Sequence, residues 1–278
     1  MSYYQDLPPE AVRQIEENAK ILAEGNSVHG LKTLPSPAVL KDIVKEIRCL
    51  LFPEYFREEY SSPSLSVYSV GVGLDRIYRR LSEQICLSGS NVDTSAATLR
   101  FISDLPSIRE ALLTDVKATY IADPAAAGPE EVIFCYPGFT AMLHYRLAHS
   151  LYQLGIRWLP RIISELAHSA TGIDIHPGAR IGRHFCIDHG TGIVIGQTCR
   201  IGDYCRIYQG VTLGAKSIPT DEDGHAVDIP RHPILGNNVT VYSNASILGR
   251  ITIGDGAIIG GNVWVTEDVP AGARIVQR

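Results

Sequence analysis

From about residue 171 onward an aliphatic residue returns at every sixth position, and few folds satisfy that spacing. One series is Ile175, Ile181, Ile187 and Ile193, and a second is Ile195, Ile201, Ile207 and Leu213. A third runs Leu235, Val241, Ile247, Ile253, Ile259 and Val265. Glycine often follows, as at Ile181-Gly182, Ile201-Gly202 and Ile259-Gly260. An α-helix repeats every ~3.6 residues and a strand alternates from one residue to the next, so neither explains the pattern. A hexapeptide repeat does, and it marks a parallel β-helix. Each short strand supplies one side of a prism, and its aliphatic side chain stacks inside on the residue one coil away.

The repeat breaks twice. Its phase slips by two residues between Ile193 and Ile195, directly after Asp188-His189-Gly190. A polar stretch, residues 216–230, interrupts it between Leu213 and Leu235. A slip and a protruding loop on a rigid coil are where a functional site is expected.

Residues 1–170 follow helical spacing instead. Pro8 and Pro9 open a segment that Gly25 closes. Ile43, Val44, Ile47, Leu50 and Leu51 share a face and stop at Pro53. Leu74, Ile77, Tyr78, Leu81 and Ile85 mark another helix, and a further one is expected to start near Pro106 and run towards Tyr120. Segments 138–154 and 160–170 complete the set, with a loose polar linker at Ser61–Ser66. The expected architecture is therefore an all-α domain, 1–170, followed by a left-handed parallel β-helix of hexapeptide repeats, 171–278, with a loop at 216–230.

Composition narrows the functional classes. A net charge of −5 without a basic stripe argues against nucleic acid. No apolar run reaches the ~18 residues of a membrane span, and the opening MSYYQDLPPE lacks the pattern of a signal peptide. Cysteines 49, 86, 135, 186, 199 and 205 form no CxxC pair and read as reduced thiols of a cytoplasmic protein. Gly71-Val72-Gly73 lacks the third glycine of a nucleotide loop.

Four motifs, in order and spacing, resemble the serine acetyltransferase family of hexapeptide acyltransferases. They are Asp174-Ile175-His176-Pro177, the run Asp188–Gly196, the run Gln209–Gly214, and Arg231-His232-Pro233. Asp123-Pro124-Ala125 and Gly138-Phe139-Thr140-Ala141 resemble the end of that family's helical domain, so the likeness covers roughly residues 105–270. The resemblance implies transfer of acetyl from acetyl-CoA to L-serine, the first step of cysteine biosynthesis. It also implies a homotrimer or a dimer of trimers, with sites in the clefts between prisms.

The resemblance assigns His189 as general base, a role that suits an imidazole near neutral pH, and Asp174 as its orienting carboxylate. Asp174 lies fifteen residues earlier, close to one coil. Asp123 and Asp188 are expected on serine's ammonium group, and Arg231 with His232 on its carboxylate. Gly214, Ala215, Ser243, Gly260 and Gly261 are the positions expected to let CoA approach. His144, His149, His168, His176 and His184 read as structural. No metal is expected, although a three-histidine zinc hydratase and an acyltransferase for another amino acid or a sugar stay open as alternatives.

The chain departs from many relatives at Gly196-Gln197-Thr198, where they carry Gly-Glu-Thr, and at Leu213-Gly214-Ala215-Lys216, where they carry Leu-Gly-Gly-Thr. It also ends at Gln277-Arg278, without the isoleucine-terminated tail of better-known relatives. No complex with cysteine synthase is expected on that ground.

Overall fold

The structure, a computed structural model, describes residues 7–25, 34–56, 67–218, 220–225 and 227–277. The linker expected at Ser61–Ser66 lies outside them. The chain divides into two compact units, Met1–Leu34 and Pro35–Arg278. In the first, α1 (Pro9–Gly25) is amphipathic, carries an i,i+4 Arg13–Glu17 pair, and leaves Ile15, Ile21 and Leu22 exposed.

The second unit begins with helices. Ser36 caps α2 (Pro37–Leu51) by accepting the Val39 N–H at 3.4 Å, and the helix buries Leu40, Ile43, Val44, Ile47 and Leu51. α3 (Val67–Leu87) packs Ile77, Leu81 and Ile85 inward. α4 (Thr94–Ala122) is capped by Asp93 and carries Pro106 in its interior, where a helix start was expected. The missing N–H of Pro106 costs one intrahelical bond. Leu105, Ile108, Leu112 and Val116, buried on both sides of it, hold the helix together. α5 (Pro129–Cys135), α6 (Pro137–Gln153) and α7 (Leu159–Thr171) follow, and Gly172 ends α7 in the left-handed region at φ +70°.

The chain then winds through short parallel strands. The first coil holds β1 (Asp174–Ile175), β2 (Arg180–Ile181) and β3 (Cys186–Asp188). The second holds β4 (Val194–Ile195), β5 (Arg200–Ile201) and β6 (Arg206–Tyr208). The third holds β7 (Thr212–Gly214), β8 (Ile234–Leu235) and β9 (Thr240–Val241), and the fourth β10 (Ser246–Leu248), β11 (Thr252–Ile253) and β12 (Ile258–Ile259). The last coil has β13 (Trp264–Val265), a bridge from Val269 to Ile253, and β14 (Arg274–Ile275).

Three sheets result. Face A stacks β1, β4, β7, β10 and β13; face B stacks β2, β5, β8 and β11; face C stacks β3, β6, β9, β12 and β14. The six-residue series becomes three inward columns. Ile175, Ile195, Leu213, Ile247 and Val265 align on face A, and Ile187, Ile207, Val241, Ile259 and Ile275 on face C. Most of these side chains are buried, and each fully buried one contributes ~1.5–3 kcal/mol. Eight positions separate Ile187 from Ile195, against six from Ile207 to Leu213. The slip in the sequence is thus two extra residues at the edge where face C turns into face A.

A buried ion pair ties the helices to the coils. Arg146 on α6 meets Asp115 on α4 at 2.7 and 3.0 Å and donates to the Gly182 carbonyl at 2.8 Å, while Asp115 accepts the Phe185 N–H at 3.0 Å. Gly138 lets the start of α6 approach β3: a Cβ there would lie 2.9 Å from the Ile187 carbonyl oxygen. These contacts set the end of α4, where Asp123 stands, beside the enlarged corner.

Candidate active site

His189 sits at the enlarged corner between faces C and A. Its φ is +57°, a left-handed conformation uncommon for a residue with a side chain. Gly190 follows at φ +94°, and a Cβ on it would fall 2.5 Å from Ile173 Cδ1, so only glycine turns the chain here. The imidazole projects outward with 75% of its surface exposed, and its Nε2 lies 3.7 Å from Asp188 Oδ1.

Two acidic groups share this corner. Asp188 ends β3 and is largely covered. Asp123 ends α4, accepts the Ala125 N–H at 2.8 Å, and accepts the Tyr136 hydroxyl at 2.5 Å. The Tyr136 bond, then the Ala125 bond, hold the Asp123 carboxyl below the usual carboxylate range, with a smaller contribution from His189. Tyr136 itself is pushed up to about 12, first by its bond to Asp123 and last by the charge of Asp188. The structure therefore gathers Asp123, Tyr136, Asp188 and His189 at one edge.

Asp174 lies near this edge without touching His189. Gly192 N–H bonds the Gly172 carbonyl and Asp174 N–H bonds the Ile193 carbonyl, so the segment carrying Asp174 runs directly beneath the corner. Among the described residues, no hydrogen bond or ion pair joins the two side chains. The Asp174 carboxylate lies instead 3.7 Å from the Arg161 guanidinium, which also contacts Glu165 at 2.5 Å. Glu165, His168 and Asp174 converge closely enough to hold a metal ion. Arg161 already brings a positive charge to two of them.

Arg231 and His232 occupy the other edge, where face A turns into face B. Thr198 organises it. Its hydroxyl accepts the backbone N–H groups of Arg231 (2.9 Å) and His232 (3.1 Å) and donates to His232 Nδ1 at 2.9 Å. Thr198 N–H also donates to Nδ1, at 3.2 Å, so in the neutral ring the proton sits on Nε2. Arg250 clamps the carbonyls of Thr198 and His232 at 2.8 and 2.9 Å. His232 is only 7% exposed. Burial, then Arg231 and Arg250, push its pKa down to about 4. Gly196 makes room for the ring: a Cβ there would fall 2.0 Å from His232 Cδ2. The Arg231 guanidinium donates to Gln197 Oε1 at 2.8 Å, so the uncharged Gln197 stands against the cation. His176 lies on the same edge and is also held near 4, by burial and then by Arg161.

The five positions expected to admit CoA divide between the two edges. Ser243 and Gly261 stack on the His189 side, linked by the Asn262 N–H to Ser243 carbonyl bond at 2.9 Å, and Gly260 leads into that corner from β12. Gly214 ends β7 and Ala215 follows it towards face B. The glycines also have packing reasons, since a Cβ on Gly214 would lie 2.9 Å from Leu248 Cδ2 and one on Gly261 3.1 Å from the Ser243 carbonyl. A track of small side chains on the His189 edge fits an extended thioester arm. Tyr136, Thr198, Gly196 and Arg250 complete the two edges; Gly196 and Thr198 stood in the sequence only within a motif and its departure, with no role of their own, and Tyr136 and Arg250 were not singled out. A tyrosine beside Pro137 and a threonine after Gly196-Gln197 give little local signal, because their partners lie 13 and 34 residues away.

Comparison with known proteins agrees with this fold. Residues 232–267 match the bacterial transferase hexapeptide (six repeats) family model. The plasmid serine acetyltransferase of Synechococcus elongatus is 48% identical over 261 residues, covering 88% of this chain and 82% of that protein. The crystal structure of Entamoeba histolytica serine acetyltransferase 1 in complex with L-cysteine aligns with a TM-score of 0.77 at 38% identity, covering 84% and 86% of the two chains. That of the Neisseria gonorrhoeae enzyme in complex with serine aligns at 0.58 and 29% identity, covering 85% and 95%. With so close a relative matched along most of both sequences, the chain belongs to the serine acetyltransferase family.

Proposed function

We propose that this protein transfers the acetyl group of acetyl-CoA to the hydroxyl of L-serine, giving O-acetyl-L-serine and CoA. The observation that carries the reading is that face A is bounded by an acid-and-imidazole edge on one side and an arginine-and-histidine edge on the other, in a chain 48% identical to a serine acetyltransferase. An amino acid with a reactive hydroxyl needs both kinds of edge. Its ammonium group is met by Asp123 and Asp188, and its carboxylate by Arg231 with the Nε2–H of His232. His189, exposed at its corner, takes the hydroxyl proton as the oxygen attacks the thioester.

Asp174 is the carboxylate assigned to orient His189. It reaches that role by leaving Arg161 when substrate and a second copy enclose the corner. The acetyl donor supplies an activated carbonyl, and Ser243, Gly260 and Gly261 line its approach from the later coils. The two edges lie at opposite sides of face A, so one chain does not close a site around serine. A homotrimer resolves this by setting the His189 edge of one copy against the Arg231 edge of the next. Residues 1–170 then serve assembly and supply Asp123, and residues 171–278 carry the chemistry. None of the six cysteines is joined in a disulfide, which agrees with action in the cytoplasm.

Thiol release from acetyl-CoA, measured with serine, homoserine and amino sugars, tests the substrate. Serine is expected to give the highest kcat/KM. A preference for an amino sugar would replace this reading with a different acyltransferase of the same fold.

A further inference from the structure

An open, shallow depression of about 460 Å³ lies on face B. It is lined by His149 of α6, by Arg180 and Ile181 of β2, and by Arg200 and Ile201 of β5. Gly182 and Gly202 make its floor, where a Cβ would strike the backbone of the next coil at 2.8 and 2.6 Å.

Three features make the depression chemically specific. First, Arg180 and Arg200 are direct register partners on neighbouring parallel strands, both exposed. Like charges in that relation repel, and among the described residues neither guanidinium has a hydrogen-bond or ion-pair partner. Second, His149 has a fixed tautomer. Its Nδ1 lies 2.7 Å from the Pro177 carbonyl, which can only accept, so Nδ1 carries the proton and Nε2 is an acceptor. Among the described residues Nε2 has no partner, and the ring is held against Tyr145 at 5.5 Å. Third, burial and the charges of Arg146 and Arg180 lower the His149 pKa, so the ring is neutral and does not add a third cation.

Two adjacent guanidiniums beside a neutral acceptor are complementary to a dianionic phosphate that carries a nearby hydroxyl donor. We propose that this depression binds a small phosphate monoester of a hydroxylated compound. The phosphate bridges Arg180 and Arg200, and the hydroxyl donates to His149 Nε2. Neither arginine belongs to the acetyl-transfer machinery, so the site is separate from the proposed reaction.

Calorimetric titration with glycerol 3-phosphate, inorganic phosphate and glycerol at constant ionic strength tests the proposal. Glycerol 3-phosphate is expected to bind saturably, more tightly than inorganic phosphate, with no signal from glycerol. The exposed double variant R180Q/R200Q is expected to weaken that binding at least tenfold while keeping wild-type acetyl-transfer turnover. His149→Asn, which keeps a donor for the Pro177 carbonyl and removes Nε2, is expected to abolish the preference for the ester over inorganic phosphate. Equal affinity for ester and inorganic phosphate in the wild type would overturn the hydroxyl contact. No saturable binding of either phosphate, or undiminished binding in R180Q/R200Q, would overturn the site.

Discussion

Face A is bounded by two edges, each carrying a histidine, and the two are built in opposite ways. At one edge the chain inserts two extra residues and holds His189 in a left-handed conformation with most of its ring in solvent. At the other, no residue is inserted before Thr198, and His232 is buried, fixed in one tautomer and held neutral. An exposed imidazole with room to move suits a proton acceptor. A buried one with its Nε2–H set by two bonds to Nδ1 suits a fixed donor to a carboxylate. The repeat supplies the same scaffold to both, and the two histidines differ in how far the ring is covered.

The largest effect is expected at the exposed edge. His189→Ala removes the proposed base and is expected to lower kcat by at least ~10²-fold, with an unchanged melting temperature because most of the ring is exposed. Arg231→Met addresses the opposite edge. Loss of charge-assisted bonds to the serine carboxylate is expected to raise KM for serine by about tenfold to a hundredfold, while kcat changes less. If both substitutions affected only kcat, the division of labour between the edges would be wrong.

Tyr136→Phe sharpens the comparison further. It removes the bond that does most to hold the Asp123 carboxylate ready for an ammonium group. KM for serine is expected to rise about threefold to tenfold, read from initial rates across serine concentrations. The smallest effect concerns pH. His176 and His232, both held near 4, stay neutral in the folded chain while their unfolded counterparts take up protons near the ordinary 6.5. Stability present above pH 6.5 is therefore lost as pH falls towards 4. The melting temperature is expected to drop between pH 7 and pH 5, and to drop less in His176→Asn/His232→Asn.

The sequence reading reached the coils because each inward residue is reported by its neighbours six places away. The same periodicity exposed the slip at His189, since two extra residues shift every later position. Helix α4 was read too short, because Pro106 reads locally as a helix start and the buried residues around it act only after folding. Asp123 and Asp188 could be named from sequence, but Tyr136, which bonds one and senses the other, could not. Nor could the dependence of His232 on Gly196 and Thr198, which join only when the 216–230 loop returns the chain to face B. Asp174 and His189 fall under the same edge as the spacing suggested. Their direct contact remains a proposal tied to assembly, since Arg161 holds Asp174 in the single chain.

The central claim is that serine is gripped between the His189 edge of one copy and the Arg231 edge of another. It is tested by mixing two variants that are both deficient at low serine, His189→Ala and Arg231→Met, unfolding them together and refolding the mixture. If the edges come from different copies, random assembly rebuilds intact sites, and activity at low serine is expected to return to about one quarter of wild type for a cyclic oligomer. If the mixture stays as deficient as its two components, both edges belong to a single chain, and the account of the site is wrong.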